Sequence, residues 1–250
     1  MDGELPPALG DIFGSIKPSA LARGFAVVGT DGGHRGSMMD ASYGVDQQAR
    51  IDYAYNALDK VTLKAKELIE RYYGAAPEYS YLLGCSNGGR QGLMASQRFP
   101  LYFDGIVAGD PSIRFSRVAV DQMWNLQVPA RIAPRDEKGR PVISRSFSDG
   151  DLRLVAEGVL KRCDALDGLA DGMIHDWQRC DFDPGVLTCQ GDKTDTCLSD
   201  AQVGALRDMY SGPRASDGTP LYNSYNYDTG IGGPAWRAMQ IKPIEALSEE

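Results

Sequence analysis

A serine between closely spaced glycines is the residue of this chain best suited to covalent chemistry. Ser86 lies at the centre of Gly84–Gly88 (GCSNG), which fits the pattern G-x-S-x-G. In proteins with this pattern a strand enters a tight, strained turn and leaves it as a helix, so that the serine hydroxyl points into open space at the end of a sheet. An aromatic and apolar run precedes the serine at 79–83, and a helical spacing follows at 90–99 and stops at Pro100. The sequence therefore predicts a strand–turn–helix unit with Ser86 as nucleophile, against the alternative of an ordinary glycine-rich turn.

The residues beside the serine have separate predicted roles. The backbone N–H of Asn87, at the helix N-terminus, is placed to donate to a negatively charged oxygen. Gly84 and Gly88 are expected to relieve the crowding that the tight turn creates on both sides of the serine. Cys85 stands at the first variable position, so its side chain leaves the turn in another direction, and we interpret it as structural.

Two histidines are the candidates for the base that a serine nucleophile needs. His34 lies in the glycine-rich loop 31–36, after a predicted strand at 24–30. Because hydrolases with this turn place the base after the nucleophile, we expect His34 to brace its loop instead. His175 does follow Ser86, but it would have to reach the serine from a cysteine-rich loop, and we do not assign it as the base.

Three carboxylates are crowded into the loop that precedes His175. Asp164, Asp167 and Asp171 alternate with two Asp-Gly turns. Like charges this close are unfavourable unless they are solvated or share a cation. Calcium binds hard oxygen ligands from carboxylates and carbonyls in such loops, although the spacing is not that of an EF-hand. From the residues alone, a calcium site and a solvated acidic turn are equal alternatives.

Four of the five cysteines lie in one loop-rich stretch between residues 163 and 197. No C-x-x-C spacing occurs among them, which disfavours a zinc site. Two short-loop disulfides, formed in an oxidising compartment, are the better interpretation. Cys85, beside the predicted nucleophile, is then left without a partner in the chain.

The N-terminal part of the chain predicts a parallel sheet. A helix is expected over 50–73, where apolar residues step by three and four in a buried stripe that ends before Gly74. Strands are expected at 24–30, 79–83 and 104–108, with helices between them. Strands and helices in this order and at this spacing indicate a right-handed βαβ arrangement.

Beyond residue 112 the pattern changes, and we place a domain boundary there, between 1–112 and 113–250. Residues 114–145 show no clear period, and the tail from 211 to the end completes no recognisable element. An amphipathic helix is predicted at 149–163. Ser199 and Gln202 form a capping box that opens a second helix, which is expected to end at Tyr210.

Composition excludes several classes of partner. With 250 residues, 42% hydrophobic and 24% charged, the chain has an ordinary globular balance. A net charge of −8 and a pI near 4.9 disfavour nucleic acid and anionic membrane surfaces. No apolar run approaches the roughly 18 residues of a membrane span. The polar, proline-containing start at Met1 is not the pattern of a secretory leader.

Longer segments resemble the tannase and feruloyl esterase family of serine esterases. The resemblance is carried by the Cys-Ser pair before Gly-Gly-Arg in GCSNGGRQGLMASQRFPLYFDGIVAGDPS. It extends through GFAVVGTDGGH, DQQARIDYAYNA, FSDGDL, CDALDGLADGMI, CLSDAQV and GTPLYNSYNYDTG, and spans Asp2 to Trp236. It implies an α/β fold: a partial α/β-hydrolase core, with a parallel sheet and flanking helices, plus an inserted lid of helices and loops that holds disulfides and a calcium site.

The resemblance also implies roles for individual residues. Ser86 would be the nucleophile, and the Asn87 N–H would be one oxyanion donor. A structural Ca²⁺ in the lid would be held by three carboxylates and two backbone carbonyls, those of Asp164, Asp167, Asp171, Leu169 and Met173. Lid disulfides would join Cys163 to Cys180 and Cys189 to Cys197, and Trp236 would contact the substrate.

Several parts of the family pattern have no counterpart in the 250 residues. These are the catalytic Asp and His, the cysteine that would pair with Cys85, and a glycine that supplies the second oxyanion donor. We therefore expect a chain truncated at both ends, with little or no esterase activity by itself.

The resemblance implies small esters of aromatic acids (feruloyl, galloyl or terephthalate-type) as substrates and a secreted or periplasmic location. No nucleic-acid, membrane or protein partner is expected. The alternatives are an inactive, calcium-stabilised binding module and one part of a split esterase. Covalent capture of Ser86 by a fluorophosphonate would distinguish an enzyme from a module.

Overall fold

A computed structural model of the chain describes residues 19–33 and 41–241. The chain divides into two compact units between Ile113 and Arg114, whereas the sequence suggested a boundary after residue 112. No helix in the described ranges combines the length and the apolar character needed to cross a membrane.

A long helix precedes the sheet in the first unit. It begins as α1 (Gln47–Ile51), widens into a π-helix at Asp52–Asn56 and continues as α2 (Ala57–Tyr73). The Asp46 carboxylate caps its start by accepting from two backbone N–H groups, and Gly74, at φ 76°, ends it in the left-handed conformation. The sequence predicted the helix and its end but not the π-turn, in which each hydrogen bond spans one residue more than in the α-helix.

The apolar stripe of this helix is only partly covered. Leu58 is buried, whereas Leu68 and Tyr72 are 53% and 83% exposed. The prediction of a continuously buried stripe is therefore wrong for the last turns of α2. Amphipathic spacing determines which side of a helix can be buried, but burial also requires another element that covers that side.

A two-stranded parallel sheet forms the centre of the first unit. β1 (Tyr81–Cys85) pairs with β2 (Gly105–Gly109), and the crossover between them is α3 (Asn87–Arg98). The predicted strands at 79–83 and 104–108 begin two residues and one residue later than expected, and their parallel pairing is confirmed. Parallel pairing places the ends of both strands at one edge, which is where α3 begins.

The predicted buried strand at 24–30 does not form. A short 3₁₀ turn (Leu21–Arg23) ends at Gly24, and the residues after it make no strand ladder within the described ranges. Phe25 and Val28 are 47% and 51% exposed. The apolar composition permits a strand, but a strand also needs a hydrogen-bonding neighbour, and β1 and β2 pair with each other.

The second unit contains most of the buried apolar side chains. Its helices are α4 (Phe115–Ile132), α5 (Asp149–Cys163), α6 (Asp200–Ser211) and α7 (Pro234–Gln240). The fully buried side chains come from these helices and from the segments between them, and include Val128, Phe147, Leu152, Val155, Val159, Leu198, Leu206 and Ile231. Short 3₁₀ turns lie at Ile143–Arg145, Asp164–Asp167, Trp177–Arg179, Pro184–Leu187 and Thr229–Gly232.

Two of these four helices were predicted from sequence. α5 has the expected bounds, and the capping box of Ser199 with Gln202 opens α6 as expected. α4 was missed because its inner face carries the buried polar residues Asp121 and Asn125, which interrupt the apolar period. α7 was missed because it is short and lies within a segment rich in turn-forming residues.

Two disulfides crosslink the second unit. Cys163 pairs with Cys180 across a Cα–Cα distance of 5.2 Å, and Cys189 pairs with Cys197 across 4.9 Å. These are the pairs that the family resemblance implied. Cys163 is buried in the core. The Cys189–Cys197 disulfide instead closes a short loop between the 3₁₀ turn at Pro184–Leu187 and the start of α6.

Candidate active site

Ser86 is held in a strained backbone conformation between β1 and α3. Its φ is 56° and its ψ is −115°, a region that residues with a side chain seldom adopt. Such a conformation typically costs about 1–3 kcal/mol and persists only where the surrounding structure imposes it. Here the Ser86 N–H donates to the Gly109 carbonyl at 3.1 Å, and the Ser86 carbonyl accepts from the Arg90 N–H at 3.0 Å. The serine is therefore tied to the end of β2 on one side and to the first turn of α3 on the other.

Glycines allow the chain to pass through this turn, but they are not the pair that the sequence suggested. A Cβ on Gly84 would lie 2.3 Å from the backbone of Gly88, and a Cβ on Gly89 would lie 2.2 Å from the carbonyl oxygen of Gly109. A Cβ on Gly88 itself would meet nothing within 4 Å. The steric requirement for glycine therefore falls on Gly84 and Gly89, because these two approach other backbone segments.

The Ser86 side chain is exposed, and no residue in the described ranges is hydrogen-bonded to its hydroxyl. The next residue, Asn87, is the first of α3, so its N–H has no acceptor within the helix. An exposed hydroxyl beside an unused N–H at a helix N-terminus is the arrangement that an acyl-transfer reaction uses for attack and for oxyanion stabilisation.

The side-chain oxygen of Asn87 accepts two hydrogen bonds. Asn87 Oδ1 accepts from the Tyr53 hydroxyl at 3.1 Å and from Arg90 Nε at 2.7 Å. Tyr53 lies on the π-helix, and its ring also contacts that of Tyr43 at a centroid distance of 5.0 Å. Burial, together with the neighbouring Tyr53, raises the pKa of Tyr43 above its ordinary value.

The sequence reasoning did not single out Tyr53 or Arg90. They are 37 residues apart, and neither belongs to the five-residue pattern around the serine. The available signal was the arginine that directly follows the two glycines after the serine, combined with a tyrosine-rich helix in the preceding segment.

Cys85 is a half-buried free thiol beside the serine. The four remaining cysteines are consumed by the two disulfides, so Cys85 has no sulfur partner in this chain. It is the last residue of β1 and lies opposite Gly109 in the sheet register. The structural role of Cys85 stays a prediction.

The glycine-rich loop after residue 30 approaches the π-helix. The Gly32 N–H donates to Thr30 Oγ1 at 3.0 Å, and the Gly33 N–H donates to Asp31 Oδ1 at 2.8 Å. A Cβ on Gly33 would lie 2.5 Å from the Cβ of Asp52, so glycine is required for this approach. His34, the histidine expected to brace the loop, lies outside the described residues.

The acidic loop of the second unit is organised by its own backbone. Asp164 Oδ1 accepts from the N–H groups of Asp171 and Gly172 at 3.2 and 3.0 Å. Asp167 accepts from the backbone N–H groups of Leu169 and His175, and the first of these bonds is the main reason that the Asp167 pKa is lowered. His175 is exposed on this loop.

The predicted calcium ligands are oxygen donors of a suitable kind, but their side chains do not converge on one point in the described structure. Carboxylates and backbone carbonyls are the oxygen ligands that Ca²⁺ prefers. The described residues, 19–33 and 41–241, contain no group of three acidic, histidine or cysteine side chains arranged as metal ligands. The donor chemistry of Asp164, Asp167, Leu169, Asp171 and Met173 therefore fits the ion, while the calcium site stays a prediction.

Trp236, the predicted substrate contact, lies on α7 and packs partly buried against the core of the second unit. Burial raises the pKa of Tyr210, which belongs to the same core. The Tyr210 ring stacks on Tyr227 with centroids 3.8 Å apart. The observed contacts of Trp236 are therefore structural, and its contact with a substrate stays a prediction.

Several known proteins are similar to this chain in sequence. It is 43% identical over 252 residues to mono(2-hydroxyethyl) terephthalate hydrolase of Piscinibacter sakaiensis, a match that covers 93% of this chain and 42% of that protein. It is 37% identical over 217 residues to a probable feruloyl esterase B-2 of Aspergillus flavus, covering 85% of this chain and 40% of the relative. The chain therefore spans less than half the length of these relatives.

Two solved structures are similar to most of this chain in fold. Feruloyl esterase B from Aspergillus oryzae matches with a TM-score of 0.63 at 29% identity, over 80% of this chain and 39% of that one. Tannin acyl hydrolase from Aspergillus niger matches with a TM-score of 0.55 at 25% identity, over 78% of this chain and 37% of that one.

A family match covers most of the sequence. The sequence model of the family described as "Tannase and feruloyl esterase" matches residues 7–240, which include the strained serine, both strands and the two disulfides. On this match, together with the relatives above, the chain belongs to the tannase and feruloyl esterase family.

Proposed function

We propose that this protein is a serine-type carboxylic ester hydrolase that acts on esters of aromatic acids. The observation that carries the proposal is the conformation of Ser86, whose strained backbone turns its exposed hydroxyl out between β1 and α3. Family membership supports the reaction class, and the names of the relatives support feruloyl- or terephthalate-type esters as substrates.

The proposed reaction follows from this geometry. A base removes the proton of the Ser86 hydroxyl while Oγ attacks the ester carbonyl carbon, and the oxyanion of the tetrahedral intermediate accepts from the Asn87 N–H. Collapse of the intermediate expels the alcohol, which takes up a proton, and leaves an acyl-enzyme. Water then attacks the acyl carbon and releases the aromatic acid. His175, the histidine of the described ranges, is not hydrogen-bonded to Ser86, and we propose as base the catalytic histidine of the family pattern, which has no counterpart in the 250 residues.

The test is hydrolysis of a chromogenic aromatic ester by the full-length gene product, oxidised and supplied with calcium. Ser86→Ala should lower kcat by at least about a thousandfold, because nucleophile removal leaves only binding and oxyanion stabilisation. Ser96→Ala is the matched control, since this serine lies on α3 and its hydroxyl donates to the Leu93 carbonyl. If Ser86→Ala keeps its activity, Ser86 is not the nucleophile. If the unsubstituted protein binds aromatic esters but neither hydrolyses them nor reacts with a fluorophosphonate, the alternative of a binding module is correct.

We also propose that the protein functions in a secreted or periplasmic location. The two disulfides support this, because disulfides persist in oxidising compartments. In that setting the second unit would serve as the lid that the family resemblance implies, and Trp236 would contact the aromatic acid. Trp236→Phe should then raise KM while preserving the packing of the core.

The acidic loop is proposed to bind one structural Ca²⁺. Asp164, Asp167 and Asp171 would contribute carboxylates, and Leu169 and Met173 would contribute backbone carbonyls. The ion would offset the repulsion among three carboxylates that otherwise share one exposed loop.

Thermal unfolding with added CaCl₂ or a chelator tests the calcium proposal. Calcium should raise the Tm of the unsubstituted protein, because a ligand that binds only the folded state stabilises it. Asp171→Asn should abolish this increase, whereas Asp195→Asn, an exposed aspartate elsewhere in the second unit, should retain it. If the Tm is the same with CaCl₂ and with chelator, the loop is a solvated acidic turn.

A further inference from the structure

One guanidinium connects the nucleophile turn to the π-helix of the first unit. Arg90 Nε donates to Asn87 Oδ1 at 2.7 Å, its NH2 group donates to the Tyr53 carbonyl at 2.9 Å, and its NH1 group donates to the Ala54 carbonyl at 3.2 Å. The guanidinium also lies over the Tyr53 ring, 4.6 Å from the centroid. A planar fork of this kind is specific to arginine, because a lysine ammonium cannot reach three acceptors in fixed directions.

The π-helix explains why backbone carbonyls are within reach of this arginine. In a π-turn the hydrogen bonds span five residues instead of four, and one residue is accommodated as a bulge. The bulge at Asp52–Asn56 brings the carbonyls of two successive residues, Tyr53 and Ala54, to the guanidinium. It also places the Tyr53 hydroxyl at Asn87 Oδ1.

This network holds the side chain of Asn87, the residue whose backbone N–H is the proposed oxyanion donor. Asn87 follows the strained Ser86 directly, and the direction of its N–H depends on the backbone angles between the two residues. Two donors converge on Asn87 Oδ1 and immobilise the side chain. An oxyanion donor must be aimed before the reaction, since reorientation during the reaction would cost part of the stabilisation.

We propose that Arg90 and Tyr53 are positioning residues that act through Asn87 to aim its backbone N–H at the oxyanion. The inference rests on the proposed esterase function and adds the residues that prepare its oxyanion site. Neither side chain is assigned a contact with the substrate. Their contribution should appear in the transition state and not in substrate binding.

The chain offers matched controls on the same two elements. Arg98 also lies on α3, and its guanidinium lies over the ring of Tyr55 at 3.9 Å, while Tyr55 belongs to the same π-helix as Tyr53. This second arginine–tyrosine pair lacks a hydrogen bond to Asn87. Arg98→Lys and Tyr55→Phe therefore report the structural cost of disturbing the contact between α3 and the π-helix.

The experiment measures kcat and KM for a chromogenic aromatic ester on the full-length protein. Arg90→Lys should lower kcat about tenfold to a hundredfold with KM unchanged, because only transition-state stabilisation is lost. Tyr53→Phe should lower kcat less, about threefold to tenfold, since Arg90 still holds Asn87. Arg98→Lys and Tyr55→Phe should leave both constants within about twofold of the unsubstituted protein.

A double-mutant cycle then tests whether the effect passes through Asn87. In an Asn87→Ala background, Arg90→Lys should cause little further loss of kcat, because the linking side chain is already absent. Independent, multiplicative losses would overturn the proposal, as would an Arg90→Lys effect no larger than that of Arg98→Lys. If Arg90→Lys fails to fold, the same cycle with Tyr53→Phe decides.

Failure of this inference can be separated from failure of the proposed function. If Ser86→Ala abolishes hydrolysis while Arg90→Lys and Tyr53→Phe leave kcat unchanged, the esterase proposal stands and the positioning role is refuted. If Ser86→Ala retains full hydrolysis, the proposed nucleophile is wrong, and the positioning role is refuted with it.

Discussion

The two units of this chain are stabilised by different means. Among the residues that the structure describes in the first unit, Leu58 and Ala95 are the buried apolar side chains, and apolar residues of the sheet such as Tyr81, Leu83 and Val107 are more than half exposed. The second unit contains a continuous apolar core, two disulfides and buried polar side chains. The strained serine lies in the unit whose described residues include fewer buried apolar side chains, and its backbone is held by local hydrogen bonds and close contacts.

Close backbone contacts supply those local constraints. α3 approaches β2 so closely that Gly89 leaves no room for a side chain against the Gly109 carbonyl. Gly92, one turn on, would place a Cβ 3.2 Å from Ile106 Cγ2. A strained backbone conformation can therefore be imposed by steric exclusion and a few hydrogen bonds, while burial in the second unit contributes apolar stabilisation.

The second unit also shows how buried charge is stabilised. Asp151 is 5% exposed and accepts from Lys193 Nζ at 2.8 Å, from Gln202 Nε2 at 2.9 Å and from the Ser148 N–H at 2.9 Å. Since Asp151 and Gln202 are the capping-box residues of α5 and α6, this hydrogen bond joins the two helix N-termini. Asp121, equally buried, accepts from the Tyr225 hydroxyl, but its Oδ1 has no partner in the described ranges.

Loss of the Asp151 network should be among the most destabilising of the changes considered for this chain. Asp151→Asn should lower the free energy of unfolding by about 3 kcal/mol, because the hydrogen bonds that Lys193, Gln202 and the Ser148 N–H donate to this buried carboxylate are lost or weakened. Urea unfolding followed by tryptophan fluorescence measures this directly, since the three tryptophans, Trp124, Trp177 and Trp236, lie in the second unit. The exposed Asp192→Asn is the control, and a loss below about 1 kcal/mol for Asp151→Asn would contradict the prediction.

The pH dependence of Asp151 has a definite sign. Burial opposes its ionisation, but the hydrogen bonds from Lys193, Ser148 and Gln202 outweigh burial, so its pKa lies below the ordinary 3.8. Its stabilising contribution is therefore present above pH 3.8 and is lost as the pH falls through the lowered pKa. The difference in stability between Asp151→Asn and the unsubstituted chain should shrink in that acidic range.

Removal of the disulfides should also affect the second unit strongly. The paired change Cys163→Ala with Cys180→Ala should cost about 3 kcal/mol, because the bond closes the longer loop and restricts the unfolded chain more. Cys189→Ala with Cys197→Ala should cost about 2.5 kcal/mol. The same fluorescence assay applies, and an unchanged free energy of unfolding in both pairs would show that the core alone stabilises this unit.

Substitutions of Gly84 and Gly89, the two crowded glycines around the Ser86 turn, should destabilise the first unit. Gly84→Ala and Gly89→Ala should each destabilise it by about 2 kcal/mol, because the new methyl group meets backbone atoms that cannot move freely. Hydrogen exchange of the α3 amides, read by mass spectrometry, reports the loss of protection. Gly88→Ala is the matched control and should be neutral or slightly stabilising, since its Cβ has open space. Equal loss of protection in all three would refute the steric assignment.

Asp121 should show the opposite pH dependence from Asp151, with a smaller effect. Burial raises the Asp121 pKa above 3.8, although the hydrogen bond from Tyr225 partly lowers it. The folded state therefore retains the proton longer than the unfolded state, and stability falls as the pH rises from 3.8 through the raised pKa. Asp121→Asn should remove this decline and change stability at neutral pH by about 1 kcal/mol or less. A decline that persists in Asp121→Asn would assign it to another group.

The smallest expected change is a gain in stability at the serine itself. Ser86→Gly should stabilise the first unit by about 1 kcal/mol, because glycine adopts φ 56° without the steric cost that a side chain incurs. Ser86→Ala keeps the Cβ and should show no such gain, which separates relief of strain from loss of the hydroxyl. Hydrogen exchange at the N-terminus of α3 measures both, and equal protection in the two variants would indicate that the serine is not strained.

Patterns of residues close together in the sequence were sufficient to locate the Ser86 turn, α5 and the start of α6. The glycine–serine pattern located the turn of Ser86, and the capping box of Ser199 located the start of α6, because each depends on residues within one turn of the chain. The spacing of apolar residues likewise located α5. The disulfide pairs followed from family resemblance and not from the spacing of the cysteines, which allowed several pairings.

Features that depend on contacts between residues distant in the chain could be recognised only in the folded structure. The segment 24–30 has the composition of a strand but has no ladder partner in the described ranges, and α4 buries Asp121 and Asn125 where an apolar period was expected. Arg90 Nε reaches Asn87 Oδ1 from three residues along α3, whereas Tyr53, 34 residues before Asn87, brings its hydroxyl to the same atom from the π-helix at Asp52–Asn56. The local pattern predicted Ser86 as the nucleophile, whereas the hydrogen bonds that hold the neighbouring Asn87 are visible only in the folded chain, because hydrogen-bond direction depends on backbone geometry that spacing does not encode.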